Sequence, residues 1–461
     1  MRNKNIFECC CIITLILPLL SGCGIYTNYQ RCQNLTVDSL YRDIPVNRRD
    51  TSLIADLSWR KLFTDPCLVQ WIETGLKQNT DLQTARLRTE EARARLTTSK
   101  LAFLPSLSLT PQGSLNSYNG EKATKTYTLG VSAEWEVDAF GSLRNAKKGS
   151  QAAYEASLAY EQAVQTQLVA TIADTYYSMV TMDKKLEITR ETAEKWRDNL
   201  RVMKALKRAG EQTEAAVAQS QASLLEAESS VLALEKQIHE LENSFSTLLG
   251  MVPQEIERSD LFDIDFPSEL SIGVPAELLG KRPDVRQAEW QLAEAFYATN
   301  TARSAFYPKI TLSGSAGWTN NGGMAIANPG KWLINAVGSL TQPLFNRGTN
   351  IANLKIAKAQ QEEATLAFIQ KLLDAGAEVN NALTQLQTAR RTMKLDRQRT
   401  ISLKSAVNST QKLMRYGTTN YLEVLTAQQT LLQAQLSEVT DKYDEIQGVI
   451  NLYHALGGGV K

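Results

Sequence analysis

The sequence predicts a mainly α-helical chain with a membrane β-barrel element, built as two structural repeats that each hold two strands and long helices. Three observations carry this prediction: stretches of strict apolar and polar alternation, helical patterns too long for an ordinary globular domain, and a self-similarity at nearly half the chain length. Over 127–138, Tyr127, Leu129, Val131, Ala133, Trp135 and Val137 fall on one face, while Thr128, Gly130, Ser132, Glu134, Glu136 and Asp138 fall on the other. Over 106–115, Leu107, Leu109, Pro111 and Leu115 oppose Ser106, Ser108, Thr110, Gln112 and Ser114. Each stretch has about 10 to 12 residues, the length a tilted strand needs to cross an outer membrane.

Composition narrows the function classes. The 461 residues carry 50 basic and 49 acidic side chains, a formal net charge of +1. Nucleic-acid binding normally needs a clustered basic surface, so no nucleic-acid partner is expected. Only two histidines are present, His239 and His454, which leaves little for a metal site or an acid–base pair. The sequence holds no Ser-His-Asp set, no metal-ligand cluster and no glycine-rich phosphate loop between strand and helix. It therefore predicts no enzyme, no cofactor and no metal.

The chain opens with Arg2 and Lys4 ahead of an apolar run from Cys9 to Leu20, too short for a mature membrane helix and typical of a secretory signal over 1–22. The run ends in Leu20-Ser21-Gly22-Cys23, which resembles the lipobox of bacterial lipoproteins. That resemblance implies that Cys23 becomes the lipidated first residue. Cys9, Cys10 and Cys11 would leave with the signal, and whether Cys32 and Cys67 then pair stays open. Residues 23–57 lack periodicity and are expected to form a tether.

The first repeat is expected over 58–250. Asp65-Pro66 opens a helix with Leu68, Trp71, Ile72 and Leu76 at helical spacing, and Asn79-Thr80-Asp81 interrupts and restarts it. A second helix runs to about Leu101, followed by strands at about 104–116 and 126–138. From Leu143 to Lys207 there is no proline and one glycine, Gly149, so a single helix on the order of 100 Å is predicted. After a turn near Gly210, Val217, Ser220, Leu224, Ala227, Val231, Leu234, Ile238, Leu241, Phe245 and Leu248 step by three and four residues as a coiled-coil seam.

Residues 251–275, with Pro253, Pro267 and Pro275, form a linker, and 276–461 repeats the pattern. Asp284-Val285, Ala288, Ala295 and Ala305-Phe306-Tyr307-Pro308 match Asp81-Leu82, Ala85, Ala92 and Ala102-Phe103-Leu104-Pro105 at an offset of 203 residues. Strands are expected at about 309–319 and 331–344. Arg415-Tyr416-Gly417, Gln428 and Leu456-Gly457 match Arg208-Ala209-Gly210, Gln221 and Leu249-Gly250 at an offset of 207. The long helix from about Asn350 to Arg415 carries one glycine, Gly376, and leads to a turn near Gly417. In the last helix Leu422, Leu425, Gln429, Leu432, Leu436, Val439, Tyr443, Ile446, Ile450 and Tyr453 make a seam that is out of step with its counterpart in the first repeat.

The chain resembles the TolC-like outer-membrane efflux factors, of the lipoprotein type that partners resistance-nodulation-division pumps. The resemblance rests on Trp59, Leu62-Phe63 and Asp65-Pro66; Asn79 with Asp81-Leu82; Leu278-Leu279 with Arg282-Pro283-Asp284-Val285, Ala288 and Glu289; Ala302-Arg303 with Pro308; Pro343-Leu344-Phe345 with Gly348; and Tyr416-Gly417 with Leu422, Val424-Leu425 and Ala427-Gln428. It implies a homotrimer whose 12-stranded barrel in outer-membrane lipid continues into a periplasmic helical tunnel. The implied partners are a periplasmic adaptor and an inner-membrane pump, and the implied role is a passive exit duct for drugs or other small molecules. Four strands per chain point the same way without the family, because open sheet edges are not tolerated in lipid and the chains must share a barrel. Two rival readings remain: a type I protein-secretion duct, and a structural trimeric coiled coil without a channel.

Site expectations follow. Glu134, Glu136 and Asp138 should face the barrel lumen. By the resemblance, the adaptor docks at Arg208, Gly210, Arg415, Tyr416 and Gly417, and Asn420 and Tyr421 lie at the aperture.

Overall fold

The structure, a computed structural model, describes residues 26–30, 58–260, 282–320, 331–417 and 419–458. The signal segment 1–22, Cys23, Cys32, most of the 23–57 tether and the later part of the 251–275 linker lie outside the described residues. The elements in chain order are α1 (Trp59–Leu62), α2 (Pro66–Gln78), α3 (Thr80–Leu101), β1 (Ser106–Asn116), β2 (Thr124–Val137), α4 (Ser142–Arg208), α5 (Glu214–Leu248), α6 (Pro283–Ser304), β3 (Lys309–Thr319), β4 (Lys331–Thr341), α7 (Thr349–Arg415) and α8 (Tyr421–Ala455). The fold is mainly helical, with four strands shared between two repeats.

The repeat is close at the level of elements. α3 and α6 have 22 residues each and β1 and β3 have 11 each, starting 203 residues apart. α4 and α7 have 67 each and α5 and α8 have 35 each, starting 207 apart. β2 and β4 also start 207 apart, so the four extra residues of the second repeat all fall between its two strands, 320–330 against 117–123. Gly149 and Gly376 lie inside α4 and α7.

Side chains fix the helix starts. Asp65 accepts hydrogen bonds from the Cys67 and Leu68 N–H groups at 2.9 and 3.4 Å, and Pro66 follows at the first helical position, where its missing N–H costs nothing. Asn79 Oδ1 accepts from Leu82 N at 2.9 Å and restarts the chain as α3. Thr213 and Asn420, which are 207 residues apart, cap α5 and α8 by accepting from Ala216 N and Glu423 N at 3.2 and 3.1 Å.

The chain falls into two compact units. The first takes Arg88–Leu158 and Gln287–Ile369 and holds the sheet, which is antiparallel throughout in the order β1-β2-β3-β4. Residues 26–30 belong to it: the Tyr26 hydroxyl donates to Phe140 O at 2.7 Å and Lys148 Nζ to Asn28 Oδ1 at 3.5 Å. β4 stops at Thr341 instead of running to 344, because Pro343 has no N–H to give a ladder.

The second unit takes Thr36–Leu87, Ala159–Arg286 and Gln370–Lys461. Its main core joins Trp59, Phe63, Leu68 and Ile72 to Tyr176 and Tyr177 of α4, Phe245 of α5, Val379 of α7 and Ile446, Val449 and Tyr453 of α8. A smaller cluster nearer the turns packs Trp196, Leu200 and Met203 with Val217, Leu224, Tyr421, Leu425 and Leu432. α7 and α8 approach closely at Gly448, where an added Cβ would lie 3.0 Å from Leu386 Cα. The start of the linker is strapped to this unit: Arg258 bonds Asp183 at 2.7 Å and Glu242 at 2.8 Å, and Ser259 Oγ donates to Asp65 at 2.9 Å.

Most of the α8 seam expected from sequence is buried, with Leu425, Leu432, Val439, Ile446, Ile450 and Tyr453 all inside, and its first residue and its phase differ. Leu422 is 61% exposed, whereas Val424, Ala434, Glu445 and Leu452 are buried, in step with Val217, Ala227, Ile238 and Phe245 at the 207 offset. The inward face of α8 is therefore wider than a single apolar seam, since small and acidic residues are buried beside the large apolar ones.

Candidate functional site: a two-faced sheet and two capped turns

Register decides what the sheet can do. Leu109, Val131, Ala316 and Ile334 lie opposite one another across the four strands, and so do Ser108, Ser132, Ser315 and Asn335. Because facing residues share a side, the sheet has one apolar and one predominantly polar face. The apolar side is covered by no core: Leu107, Leu109 and Leu115 are about 70% exposed, and Ile334 and Leu340 are similar. A long sheet that leaves its apolar face bare suits a hydrocarbon environment. The other face carries Ser106, Ser108, Ser132, Glu134, Ser313, Ser315 and Asn335 around a cavity of about 210 Å³. Among the described residues no helix is long and apolar enough to cross a membrane.

The three acids expected in the lumen have different roles. Glu134 is exposed beside the serines of the polar face. Glu136 pairs with Lys309 across β2 and β3 at 2.7 Å. Asp138 departs from the expectation. It lies just past β2, accepts from the Leu143 and Arg144 N–H groups at 3.0 and 2.9 Å and pairs with the Arg144 guanidinium at 3.1 Å. A carboxylate meeting the positive end of α4 is a helix cap, with its oxygens committed to the backbone.

At the helical turns, Gly210 and Gly417 take φ values of 81° and 70°, a left-handed conformation that side chains with a Cβ adopt at a cost. Arg208 ends α4 and is exposed, Tyr416 is 83% exposed, and Arg415 is the last residue of α7. Asn420 and Tyr421 both serve the start of α8. The Asn420 side chain is spent capping α8, and Tyr421 is 6% exposed, packed into the cluster around Trp196 and Leu425. Burial pushes its phenol above the ordinary value.

Sequence reasoning missed what holds the opposite helix ends. Asn79 Nδ2 donates to Leu248 O at 2.9 Å, joining the start of α3 to the end of α5. In the second repeat Arg282 Nη1 donates to Ala455 O at 2.7 Å, joining α6 to α8. The Arg282 side chain is 3% exposed and its charge is balanced by Asp284 at 2.8 Å and Glu378 at 2.6 Å, with Lys371 3.0 Å from Asp284. Burial alone would raise the Asp284 carboxyl, but Arg282 and Lys371 hold it well below the usual carboxylate range. The Arg282-Pro283-Asp284 run was visible as a motif, and only the fold shows that its guanidinium reaches a carbonyl 173 residues away.

These features sit inside a family match. The model for outer membrane efflux proteins matches residues 71–251 and 274–458, so it covers both repeats separately. The chain belongs to the outer membrane efflux protein family. Two relatives of this outer membrane efflux protein are 28% identical to it: the antibiotic efflux pump outer membrane protein ArpC of Pseudomonas putida, over 96% of this chain and 93% of that protein, and the probable outer membrane lipoprotein SilC of Salmonella typhimurium, over 88% of each. A crystal structure of CusC, described in connection with transmembrane channel formation, superposes with a TM-score of 0.83 at 26% identity, covering 94% of this chain and all of that one. As an efflux channel protein of the outer membrane, the chain works as a conduit and is not an enzyme.

Proposed function

We propose that three copies of this efflux protein close one 12-stranded barrel and act as a passive exit duct for drugs or other small molecules. An inner-membrane pump of the resistance-nodulation-division type supplies the energy, and a periplasmic adaptor opens the tip. The observation that carries the reading is the sheet: four strands with one bare apolar face, whose outer members β1 and β4 present backbone edges that lipid would leave unpaired. Closure between copies satisfies those edges and turns the serine-rich face inward. The names of ArpC and SilC support small-molecule efflux and a lipoprotein over protein secretion, and the paired strands favour a channel over a bare coiled coil.

Arg208, Gly210, Arg415, Tyr416 and Gly417 are the adaptor-docking turns of this reading, exposed at Arg208 and Tyr416. Cys23 carries the lipid, three residues ahead of Tyr26, whose hydroxyl is fixed to Phe140 at the end of β2. Single cysteines introduced in β1 and β4 test the assembly. Disulfide cross-linking between copies should give covalent trimers, and a dimer-only ladder would contradict the barrel. The Cys23→Ala variant should lose palmitate labelling, and retained label would remove Cys23 as the lipid site. A deletion strain with an unchanged drug-susceptibility profile would count against drug export.

A further inference from the structure

The hairpin formed by α7 and α8 holds two carboxylates against each other. The helices run antiparallel, in a register set by Gln385 Nε2 to Gln447 Oε1 at 2.9 Å and Arg390 Nε to Glu445 Oε1 at 3.0 Å. Two turns further along α7 is Asp396, whose side chain is 18% exposed, and facing it on α8 is Asp441, which is 9% exposed. The two carboxyls lie within hydrogen-bonding reach of each other, and Asp441 Oδ2 is buried with no hydrogen-bond partner. A buried acceptor left bare costs about 1–3 kcal/mol, so this arrangement is favourable only if a proton lies between the carboxyls.

The surrounding charges do not neutralise the pair. On α8, Glu438 and Asp444 add negative potential at Asp441. On α7, Arg399 reaches Asp396 only at 3.8 Å, with half its side chain in solvent. On α4, Lys185 interacts with Asp444 and is itself weakened as a cation by burial. Lys442 and Arg390 are committed to Glu445 at 3.3 and 3.0 Å. Burial, first, and then the Asp396 charge push the Asp441 carboxyl up to about 6.

We propose that Asp396 and Asp441 form a proton-dependent clasp between α7 and α8, in which one shared proton ties the two helices together in mild acid and its loss loosens the hairpin. The sign follows from linkage. A carboxyl whose folded value is raised binds its proton more tightly in the closed hairpin, so closure strengthens as pH falls through the raised value and weakens as pH rises through it. The clasp gives the channel a sensor of periplasmic acidity within a single chain, on the same hairpin as the Gly417 turn.

Hydrogen exchange on the full-length, detergent-solubilised protein tests it, read at the backbone amides flanking Asp396 and Asp441 and corrected for the intrinsic rate at each pH. Wild type should show protection about tenfold higher at pH 5 than at pH 7.5, the ratio that linkage gives for the raised value. Asp441→Asn, which keeps shape and supplies a permanent donor, should be highly protected at both pH values. Asp396→Asn should do the same and serves if the first variant does not fold. Asp444→Asn, which removes one flanking charge and leaves the pair intact, should lessen the slope without abolishing it. Equal protection of wild type at both pH values, or a retained slope in both clasp variants, would overturn the proposal.

Discussion

The two repeats solve one mechanical problem with different chemistry. Both tie the start of a short helix to the carbonyl end of the last helix in the repeat, Asn79 to Leu248 O and Arg282 to Ala455 O, at matching positions. The first lock is a neutral amide with one bond in each direction. The second buries a guanidinium and needs Asp284 and Glu378 to offset the desolvation. A repeat conserves the geometric task, and the side chain that performs it is free to change provided its charge is balanced locally. The cost is that the charged version fails harder.

The largest effect expected from breaking this comparison comes from Arg282→Ala. It leaves the Ala455 carbonyl without its donor and Asp284 with Lys371 as its remaining partner, and should destabilise the protein by about 3 kcal/mol, measured as a shift in urea midpoint. Acid is the next lever. Asp284 has a folded value held below its ordinary one, so its contribution is present above about pH 4 and drains away as pH falls below that. Exchange protection near Ala455 should therefore fall with pH in that range, while protection near Leu248, held by an amide, should not. Asn79→Ala should cost less, about 1–3 kcal/mol, for an unsatisfied carbonyl and the lost cap of α3. Smallest are Thr213→Ala and Asn420→Ala, each about 1 kcal/mol of capping at equivalent turns. Unequal losses there would show that the turns have diverged as the locks have.

What the sequence made legible follows from the range of the forces involved. The strands were readable because alternation with period two is local, and the 67-residue helices because few glycines and no prolines interrupt them. β4 was overrun by three residues where Pro343 ends the ladder. Asp138 was grouped with Glu134 and Glu136 because it continues their alternation, although its position shortly before α4 was a capping signal of equal strength. The resemblance puts Tyr421 at an aperture, and its spacing of four to Leu425 also marks the packed face that the structure shows. Arg282 and the Asp396–Asp441 pair were illegible for one reason: their partners are far along the chain or on a facing helix, and no local pattern encodes that approach.

The central claim, that the two-faced sheet closes between copies into a water-filled duct, is tested most directly in planar lipid bilayers. The purified full-length protein should give discrete single-channel steps, raised in frequency or size by charge reversal at Arg208 or Arg415 if the helical turns restrict flow. A protein that inserts into the bilayer yet gives no discrete conductance, in wild type and in both turn variants, would contradict it.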